Sequence, residues 1–121
     1  MSQNSPSASD LTRQLIEFRD ARDWKQFHSL KDLILSLNLE ASELLELTQW
    51  KSADDFEAEA HEEFMQQRLR EECADVFCYL LLVAERAGID IQAAAAEKIK
   101  ANDQKYPVEK SRGTATKYNK L

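Results

Sequence analysis

Apolar residues recur at every third or fourth position along most of the chain, which is the spacing of helices with one buried face. The predicted helices cover approximately residues 9–24, 29–50, 62–87 and 90–105. Ser9 or Asp10 is expected to cap the first helix, and Gly88 is expected to end the third. Because the chain has only two glycines and two prolines, it offers little turn chemistry for a β-rich fold. The sequence therefore predicts an all-α protein.

The domain organisation follows from length and local composition. A chain of 121 residues is long enough for one domain with its own core. Residues 1–8 are small and polar and are expected to be disordered, whereas residues 9–106 are expected to form the helical domain. Residues 107–121 form a tail with four basic residues against one acidic residue, Glu109. This basic tail is expected either to contact phosphate or to be simply solvated.

The net charge of −6 argues against general binding to nucleic acid or to an anionic membrane, because both need a basic surface. The longest apolar run, residues 76–84, is far shorter than the roughly 20 residues that span a bilayer. Residues 1–9 do not resemble a secretory signal, and Cys73 and Cys78 form no Cys-x-x-Cys motif. A reduced, cytoplasmic protein is therefore expected.

Two pairs of acidic residues stand inside the predicted helices with the same spacing. Glu40 and Glu43 lie in the second helix, and Glu72 and Asp75 lie in the third. Residues three apart share a helix face, with Cβ atoms roughly 5–6 Å from each other. Two such pairs that face each other would present four carboxylates, which suit a hard divalent cation.

The position of each acid on the helix separates these residues from their acidic neighbours. Glu40 lies at the margin of the apolar stripe of its helix, and Glu72 lies inside the stripe of the next. Glu46 and Glu71 lie away from these stripes. A carboxylate on an apolar surface is costly unless it is paired or bound to metal. Acidic residues at this spacing are nevertheless common on charged helices, so the pattern alone leaves the metal site open.

Two further stretches bear on assembly and on partners. Residues 76–84 are apolar nearly all round the helix, which indicates burial on more than one side, as in the centre of an oligomer or bundle. Residues 51–63 form a strongly acidic connector, expected to be a solvated face with Ser52 or Asp54 capping a helical segment.

Six short segments follow one another in an order and spacing that are fairly specific when taken together. They are residues 18–28 (FRDARDWKQFH), 39–44 (LEASEL), 49–51 (QWK), 71–76 (EECADV), 105–107 (KYP) and 116–118 (TKY). In this order they resemble the MazG-like nucleotide pyrophosphohydrolases, and most closely the branch that contains the dCTP pyrophosphatases. The similarity covers about residues 11–121. Leu39 stands where many family members carry a further glutamate, and Leu15 where some dCTP-preferring relatives carry a polar residue.

The resemblance implies an all-α NTP pyrophosphatase fold, similar to a four-helix bundle, that assembles as a homo-oligomer. The implied assembly is a tetramer built as a dimer of dimers. The implied reaction is hydrolysis of a (d)NTP between the α- and β-phosphates, giving (d)NMP and pyrophosphate with Mg²⁺, or with Mn²⁺ as a substitute. The expected substrate is a deoxynucleotide such as dCTP or a modified dNTP, and the expected role is sanitation of the nucleotide pool.

The resemblance also implies roles for individual residues. The implied metal ligands, which are also the implied catalytic groups, are Glu40, Glu43, Glu72 and Asp75. The implied substrate-binding residues are Trp24, His28, Trp50, Lys51, Tyr79, Asn102 and Lys105. Judged from the residues alone, the aromatic side chains and the histidine could equally be parts of the core.

Two alternatives remain open at the level of sequence. The acidic connector and the net charge are also typical of a non-enzymatic helical-bundle adaptor that presents an acidic face to a basic partner. A bundle of the same kind could also act on a different diphosphate, such as an alarmone or a phosphoribosyl nucleotide.

Overall fold

The structure, a computed structural model, describes residues 5–120. The helices in this range are α1 (Ala8–Ala21), α2 (Leu30–Glu46), α3 (Ala53–Glu59), α4 (Glu63–Ala87), α5 (Ile91–Lys105) and α6 (Val108–Ser111). Short 3₁₀ turns cover Lys25–Phe27 and Tyr118–Lys120. Residues 5–120 contain no β-strand, which confirms the predicted all-α class. None of the helices in this range is long and apolar enough to cross a membrane.

The first helix begins earlier than predicted because Ser7 is its N-cap. The Ser7 hydroxyl accepts a hydrogen bond from the Asp10 amide at 3.0 Å, and the Asp10 carboxylate accepts one from the Ser7 amide at 3.1 Å. This reciprocal capping box lowers the pKa of Asp10, mainly through the backbone hydrogen bond. The predicted caps at Ser9 or Asp10 are therefore wrong. Of the residues predicted to be disordered, 1–4 lie outside the described range.

The link between α1 and α2 is fixed by main-chain contacts. Asp23 adopts a left-handed conformation with φ of 56°. This turn brings the Trp24 amide to the Arg19 carbonyl, to which it donates a hydrogen bond at 3.1 Å. Ser29 then caps α2 by accepting a hydrogen bond from the Asp32 amide.

The second helix ends four residues before the predicted end at Trp50. The Thr48 hydroxyl donates a hydrogen bond to the Leu45 carbonyl at 2.7 Å, which competes with the backbone bonds of a continuing helix. Trp50 has a φ of 65°, so the chain has left the right-handed helical region there. Ser52, one of the two predicted caps, then begins α3 by accepting a hydrogen bond from the Asp55 amide at 3.1 Å.

The described chain divides into two units, the first ending at Gly88 and the second beginning at Ile89. In the first unit, α4 packs against both α2 and α1. The buried apolar residues of this unit are Leu33, Met65, Leu81, Leu82 and Ala84. Leu81, Leu82 and Ala84 lie within the apolar run of residues 76–84, where α4 buries more than one face because it has two packing partners.

The apolar stripe predicted for α2 is only partly covered in the single chain. The predicted stripe consists of Leu30, Leu33, Ile34, Leu37, Ala41, Leu44 and Leu45. Leu33 is buried, but Ile34 and Leu45 are 50% and 66% exposed. Leu39, on the same helix, and Phe64, at the start of α4, are exposed to 56% and 75%.

The second unit contains α5, α6 and the chain that follows. Asp90 caps α5 by accepting a hydrogen bond from the Ala93 amide at 3.1 Å. After α5, the rings of Tyr106 and Tyr118 meet edge to face with their centroids 6.1 Å apart. The predicted basic tail therefore includes the short helix α6 and a contact made by Tyr118, and its final residue, Leu121, lies outside the described range.

Gly88 should be sensitive to substitution because of its backbone conformation. It ends α4 with a φ of 71°, and a Cβ atom added there would meet no atom of residues 5–120 within 4 Å. Gly88→Ala should therefore lower the free energy of unfolding by about 1 kcal/mol through conformational strain alone. Gly88→Asn should cost less, because asparagine tolerates the left-handed region. Urea unfolding of the three proteins tests this, and equal losses for both variants would contradict it.

Candidate metal centre and its adjoining cavity

Packing of α2 against α4 brings three carboxylates together. Glu40 and Glu43 on α2 and Glu72 on α4 each offer an oxygen atom, and these atoms lie within 4.8 Å of one another. We refer to these three residues as the carboxylate cluster. Glu72 is only 7% exposed, Glu40 is half-buried and Glu43 is exposed, so the cluster extends from the interior to the surface.

The cluster concentrates like charge in a partly dry place. Burial, followed by a hydrogen bond and the charge of Glu43, raises the pKa of Glu40. Burial, followed by the charge of Glu43, likewise raises the pKa of Glu72, although Arg68, with its guanidinium 3.4 Å from Glu72, offsets part of this. One oxygen each of Glu40 and Glu72 is buried without a hydrogen-bond partner among residues 5–120. These orphaned oxygens and the shared negative charge fit a hard divalent cation.

Asp75, the predicted fourth ligand, lies one turn after Glu72 on α4 and is exposed. It is not one of the three residues whose oxygens meet within 4.8 Å. Its charge nevertheless contributes to the raised pKa values of Glu40 and Glu72. Its role as a ligand stays a prediction.

Neighbouring acids on α4 differ in burial as their positions on the helix predicted. Glu71 is exposed and its carboxylate accepts a hydrogen bond from the Gln67 side-chain amide at 3.0 Å. Glu72, the next residue, is buried in the cluster. Glu46, at the end of α2, is exposed as its position on the helix indicated.

A cavity of about 280 Å³ lies between α1, the link that follows it, and α4. Its lining residues are Leu15, Phe18, Arg19, Trp24, His28, Asp75, Cys78, Tyr79 and Leu82. Four residues predicted for the site therefore come together here: Trp24, His28, Asp75 and Tyr79. Because Asp75 lines the cavity and lies one helical turn after Glu72 on α4, the cavity and the cluster adjoin.

The cavity wall combines an aromatic pair with polar groups. The rings of Phe18 and Trp24 pack edge to face with centroids 5.7 Å apart. The Nδ1 atom of His28 is buried and has no hydrogen-bond partner among residues 5–120. Burial, followed by the charge of Asp75, raises the pKa of the Cys78 thiol, so this group is a neutral part of the wall. Such a mixture of apolar wall and few polar groups is typical of small-molecule sites.

Several lining residues were not predicted as site residues: Phe18, Arg19, Cys78 and Leu82. A helical spacing in the sequence could have found them. Phe18 and Arg19 lie three and four residues after Leu15 on α1, and Cys78, Tyr79 and Leu82 lie three, four and seven residues after Asp75 on α4.

The other predicted substrate-binding residues lie outside the cavity lining. Trp50 is 98% exposed, and the Lys51 ammonium pairs with the Glu59 carboxylate at 2.9 Å. Asn102 and Lys105 lie on α5 in the second unit, where the Lys105 ammonium stands 4.8 Å from the centre of the Tyr118 ring. The roles of these four residues stay predictions.

Without a divalent cation, the protein should lose stability as the pH rises. The folded state raises the pKa values of Glu40 and Glu72 above their usual value of 4.5, so it binds their protons more tightly than the unfolded state does. The contribution of these groups to the free energy of unfolding therefore has its full value below about pH 4.5, and it falls as the pH rises through the raised pKa values.

Thermal unfolding of EDTA-treated protein at a series of pH values tests this expectation. The stability of the Glu40→Gln/Glu72→Gln double variant should fall less with rising pH, because the variant lacks both titrating groups. Parallel pH profiles for the two proteins would contradict the prediction.

Comparison with known proteins finds relatives for nearly the whole chain. Residues 35–121 match the model of the MazG-like family. The chain is 41% identical over 116 residues to dCTP pyrophosphatase 1 of Rattus norvegicus, an alignment that covers 96% of this chain and 68% of the relative. Identity to dCTP pyrophosphatase 1 of Homo sapiens is 35% over 116 residues, with the same coverage of both chains.

A solved structure agrees with the sequence comparison. The crystal structure of a pyrophosphatase from Archaeoglobus fulgidus DSM 4304 superposes with a TM-score of 0.77 and 36% identity, over 88% of this chain and 98% of that chain. These findings confirm the resemblance found in the motifs and the predicted enzyme class, a nucleoside triphosphate pyrophosphohydrolase. They favour an enzyme over the adaptor. The chain belongs to the MazG-like family.

Proposed function

We propose that the chain hydrolyses deoxynucleoside triphosphates between the α- and β-phosphates, releasing a deoxynucleoside monophosphate and pyrophosphate, with Mg²⁺ as the cation. The similarity to dCTP pyrophosphatase 1 of Rattus norvegicus and Homo sapiens supports dCTP or a modified dNTP as the substrate, and sanitation of the nucleotide pool as the role. The observation that carries the proposal is the adjacency of the carboxylate cluster to a cavity with aromatic walls.

Glu40, Glu43 and Glu72 would hold the cation, and Asp75 is the proposed fourth ligand. When bound, Mg²⁺ would neutralise phosphate charge and polarise the phosphoryl group for attack by water. The carboxylates provide the ligand atoms and a proton acceptor. The buried oxygens of Glu40 and Glu72 have no hydrogen-bond partner among residues 5–120, so they can act as ligands. A carboxylate that is only partly engaged can accept the proton of the attacking water.

The cavity would receive the nucleoside. Phe18 and Trp24 present apolar ring surface, against which a planar base can stack. The orphaned Nδ1 atom of His28 offers one polar contact in a half-buried position. A triphosphate extending from this cavity toward Asp75 would reach the carboxylate cluster, because Asp75 belongs to the surroundings of both.

The direct test is a panel of nucleotides incubated with Mg²⁺, with pyrophosphate and monophosphate both quantified. Equal amounts of pyrophosphate and deoxynucleoside monophosphate from at least one dNTP are expected. Release of orthophosphate without pyrophosphate would contradict the proposed cleavage position. Activity confined to an alarmone or another diphosphate would instead favour the alternative substrate class.

Trp24 should contribute to binding rather than to the chemical step. Trp24→Ala should raise KM for the preferred dNTP about tenfold or more, because loss of a stacking ring removes roughly 1–3 kcal/mol. Phe27→Ala is a matched control, because Phe27 is an aromatic residue of the same link that is 63% exposed and does not line the cavity. Steady-state kinetics compare the three proteins, and an unchanged KM in Trp24→Ala would remove Trp24 from the binding site.

We also propose a homo-oligomer, with a tetramer as the expected assembly. The exposed apolar side chains of Ile34, Leu39, Leu45 and Phe64 support this, because large apolar surfaces are usually covered by a partner. Sedimentation velocity measures the assembly directly. A monomer at micromolar concentration would contradict the proposal.

A further inference from the structure

Arg19 is a buried cation in the wall of the cavity, and the function proposed above gives it no role. Its residue surface is 6% exposed, and Arg19 and Glu72 are the buried charged residues of the described range. Burial of a guanidinium is costly unless its donors are satisfied. The buried position of Arg19 beside a cavity therefore calls for an account of its hydrogen bonds.

Only some of the hydrogen-bond donors of the Arg19 guanidinium have partners among residues 5–120. The Nε atom donates to the Asp20 carboxylate at 2.9 Å, and Nη2 lies 2.9 Å from the same oxygen. The Nη1 atom lies 4.0 Å from the Glu85 carboxylate, which is beyond hydrogen-bond distance. Arginine carries five N–H donors in a planar fork. Within residues 5–120, Asp20 therefore anchors one edge of the fork and leaves donors on the other edge for a ligand.

Arg19 also lies toward the end of the cavity that is remote from the carboxylate cluster. Asp75, at the cluster end, precedes Glu85 by ten residues on α4. This separation is about 15 Å along a helix axis. Because the Arg19 guanidinium lies beside Glu85, a nucleotide with its phosphates at the cluster would direct its base toward Arg19.

Two parallel donors select a base edge that carries two adjacent acceptors. Cytosine presents O2 and N3 side by side as acceptors, whereas N3 of thymine carries a hydrogen and repels a donor. A bidentate contact between arginine and a base edge discriminates against the wrong base by roughly 1–3 kcal/mol, which is about fivefold to more than a hundredfold.

We propose that Arg19 determines base specificity by donating two hydrogen bonds to O2 and N3 of cytosine. The inference rests on the proposed function, because it assigns the base to this cavity. Asp20 acts as a positioning residue, since its carboxylate holds the fork in place. The aromatic pair of Phe18 and Trp24 can stack against any base, whereas Arg19 distinguishes cytosine from thymine.

The test compares kcat/KM for dCTP and dTTP in the wild-type protein, Arg19→Met and Arg19→Lys. The wild-type protein should prefer dCTP, and both variants should lose about tenfold or more of that preference, because lysine keeps the charge but not the fork. The ratio of the two substrates is independent of the fraction of folded enzyme, so partial misfolding cannot imitate the effect. Asp20→Asn should lower the ratio less, since it only loosens the anchor.

Two controls separate recognition from structure. Arg13→Met removes an exposed arginine of the same helix that also pairs with an aspartate, and it should leave the ratio unchanged. Glu85→Gln removes the distant ion pair without altering the cavity lining. A purely structural Arg19 would lower the melting temperature in both Arg19→Met and Glu85→Gln and leave the substrate ratio unchanged in both, which would overturn the inference.

Measurement of dCMP and dTMP binding by calorimetry provides a second test, which needs no turnover. The wild-type protein should bind dCMP more tightly, and Arg19→Met should abolish the difference. A wild-type preference for thymine, or a preference for dGTP through guanine O6 and N7, would overturn the cytosine assignment. Hydrolysis of no dNTP would instead count against the proposed function, and the binding arm would still decide the role of Arg19.

Discussion

Glu72→Gln should lower kcat for dNTP hydrolysis by about a thousandfold or more, because a lost cation ligand weakens charge stabilisation worth several kcal/mol in the transition state. The substitution keeps the size of the side chain and removes the buried charge. Far-UV circular dichroism should therefore show the same helical content. In the absence of divalent cations, the variant should melt at a higher temperature than the wild-type protein at pH 7, because the raised pKa of Glu72 means that its charge destabilises the folded state.

Glu71→Gln is the matched control, since it makes the same chemical change at the adjacent position. Glu71 is exposed, and its carboxylate contacts only the Gln67 side chain among residues 5–120. Its kinetics should stay within a factor of two of the wild-type values, roughly the scatter expected for a surface substitution. If Glu72→Gln retained full activity, or if both variants lost activity equally, the assignment of Glu72 to the cation site would fail.

Removal of divalent cations should abolish activity, and addition of Mg²⁺ should restore it. The carboxylate cluster and a triphosphate are both negative, so they repel each other unless a cation lies between them. Mn²⁺ should also restore turnover, because carboxylate oxygens are suitable ligands for either ion. Activity assays after EDTA treatment and dialysis measure this effect directly.

Thermal unfolding separates binding of the cation from its role in turnover. Mg²⁺ should raise the melting temperature of the wild-type protein, because a ligand that binds the folded state stabilises it. The same Mg²⁺ concentration should raise it much less in Glu72→Gln. Undiminished hydrolysis in EDTA, or equal stabilisation of both proteins, would contradict a cation site at the carboxylate cluster.

The helical periodicity of the sequence predicted the all-α fold class and the burial of Glu72, because both depend on local geometry. The positions of Glu71 and Glu72 differ by about 100° around a helix. That rotation alone distinguishes a solvated carboxylate from a buried one, as the structure confirms.

The ends of the helices were harder to predict, because several neighbouring residues could serve as the cap of the same helix. Ser7, Ser9 and Asp10 can all cap a helix, and the reciprocal hydrogen bonds between Ser7 and Asp10 decide among them. The end of α2 depends on the Thr48 hydroxyl and on the left-handed backbone at Trp50, neither of which alters the apolar spacing.

The cavity could be predicted only in part, since it needs three elements to converge. The family resemblance indicated Trp24, His28 and Tyr79, which lie on the link and on α4. Arg19 was not predicted for the site, because a charged residue near the end of a helix ordinarily suggests solvent. Its spacing from Leu15 places it on the same face of α1, but its burial follows from the packing of α1 against α4.

The hydrogen bond from the Trp24 amide to the Arg19 carbonyl has an evolutionary consequence. It fixes the position of residue 24 through the peptide backbone, without using the indole ring. The left-handed turn at Asp23 that brings these two groups together is likewise independent of the side chain at position 24. A lineage can therefore exchange the residue at position 24, which lines the cavity, while the link keeps its course. Under the proposed function, single substitutions at this position are a route to altered substrate preference with little change to the rest of the scaffold.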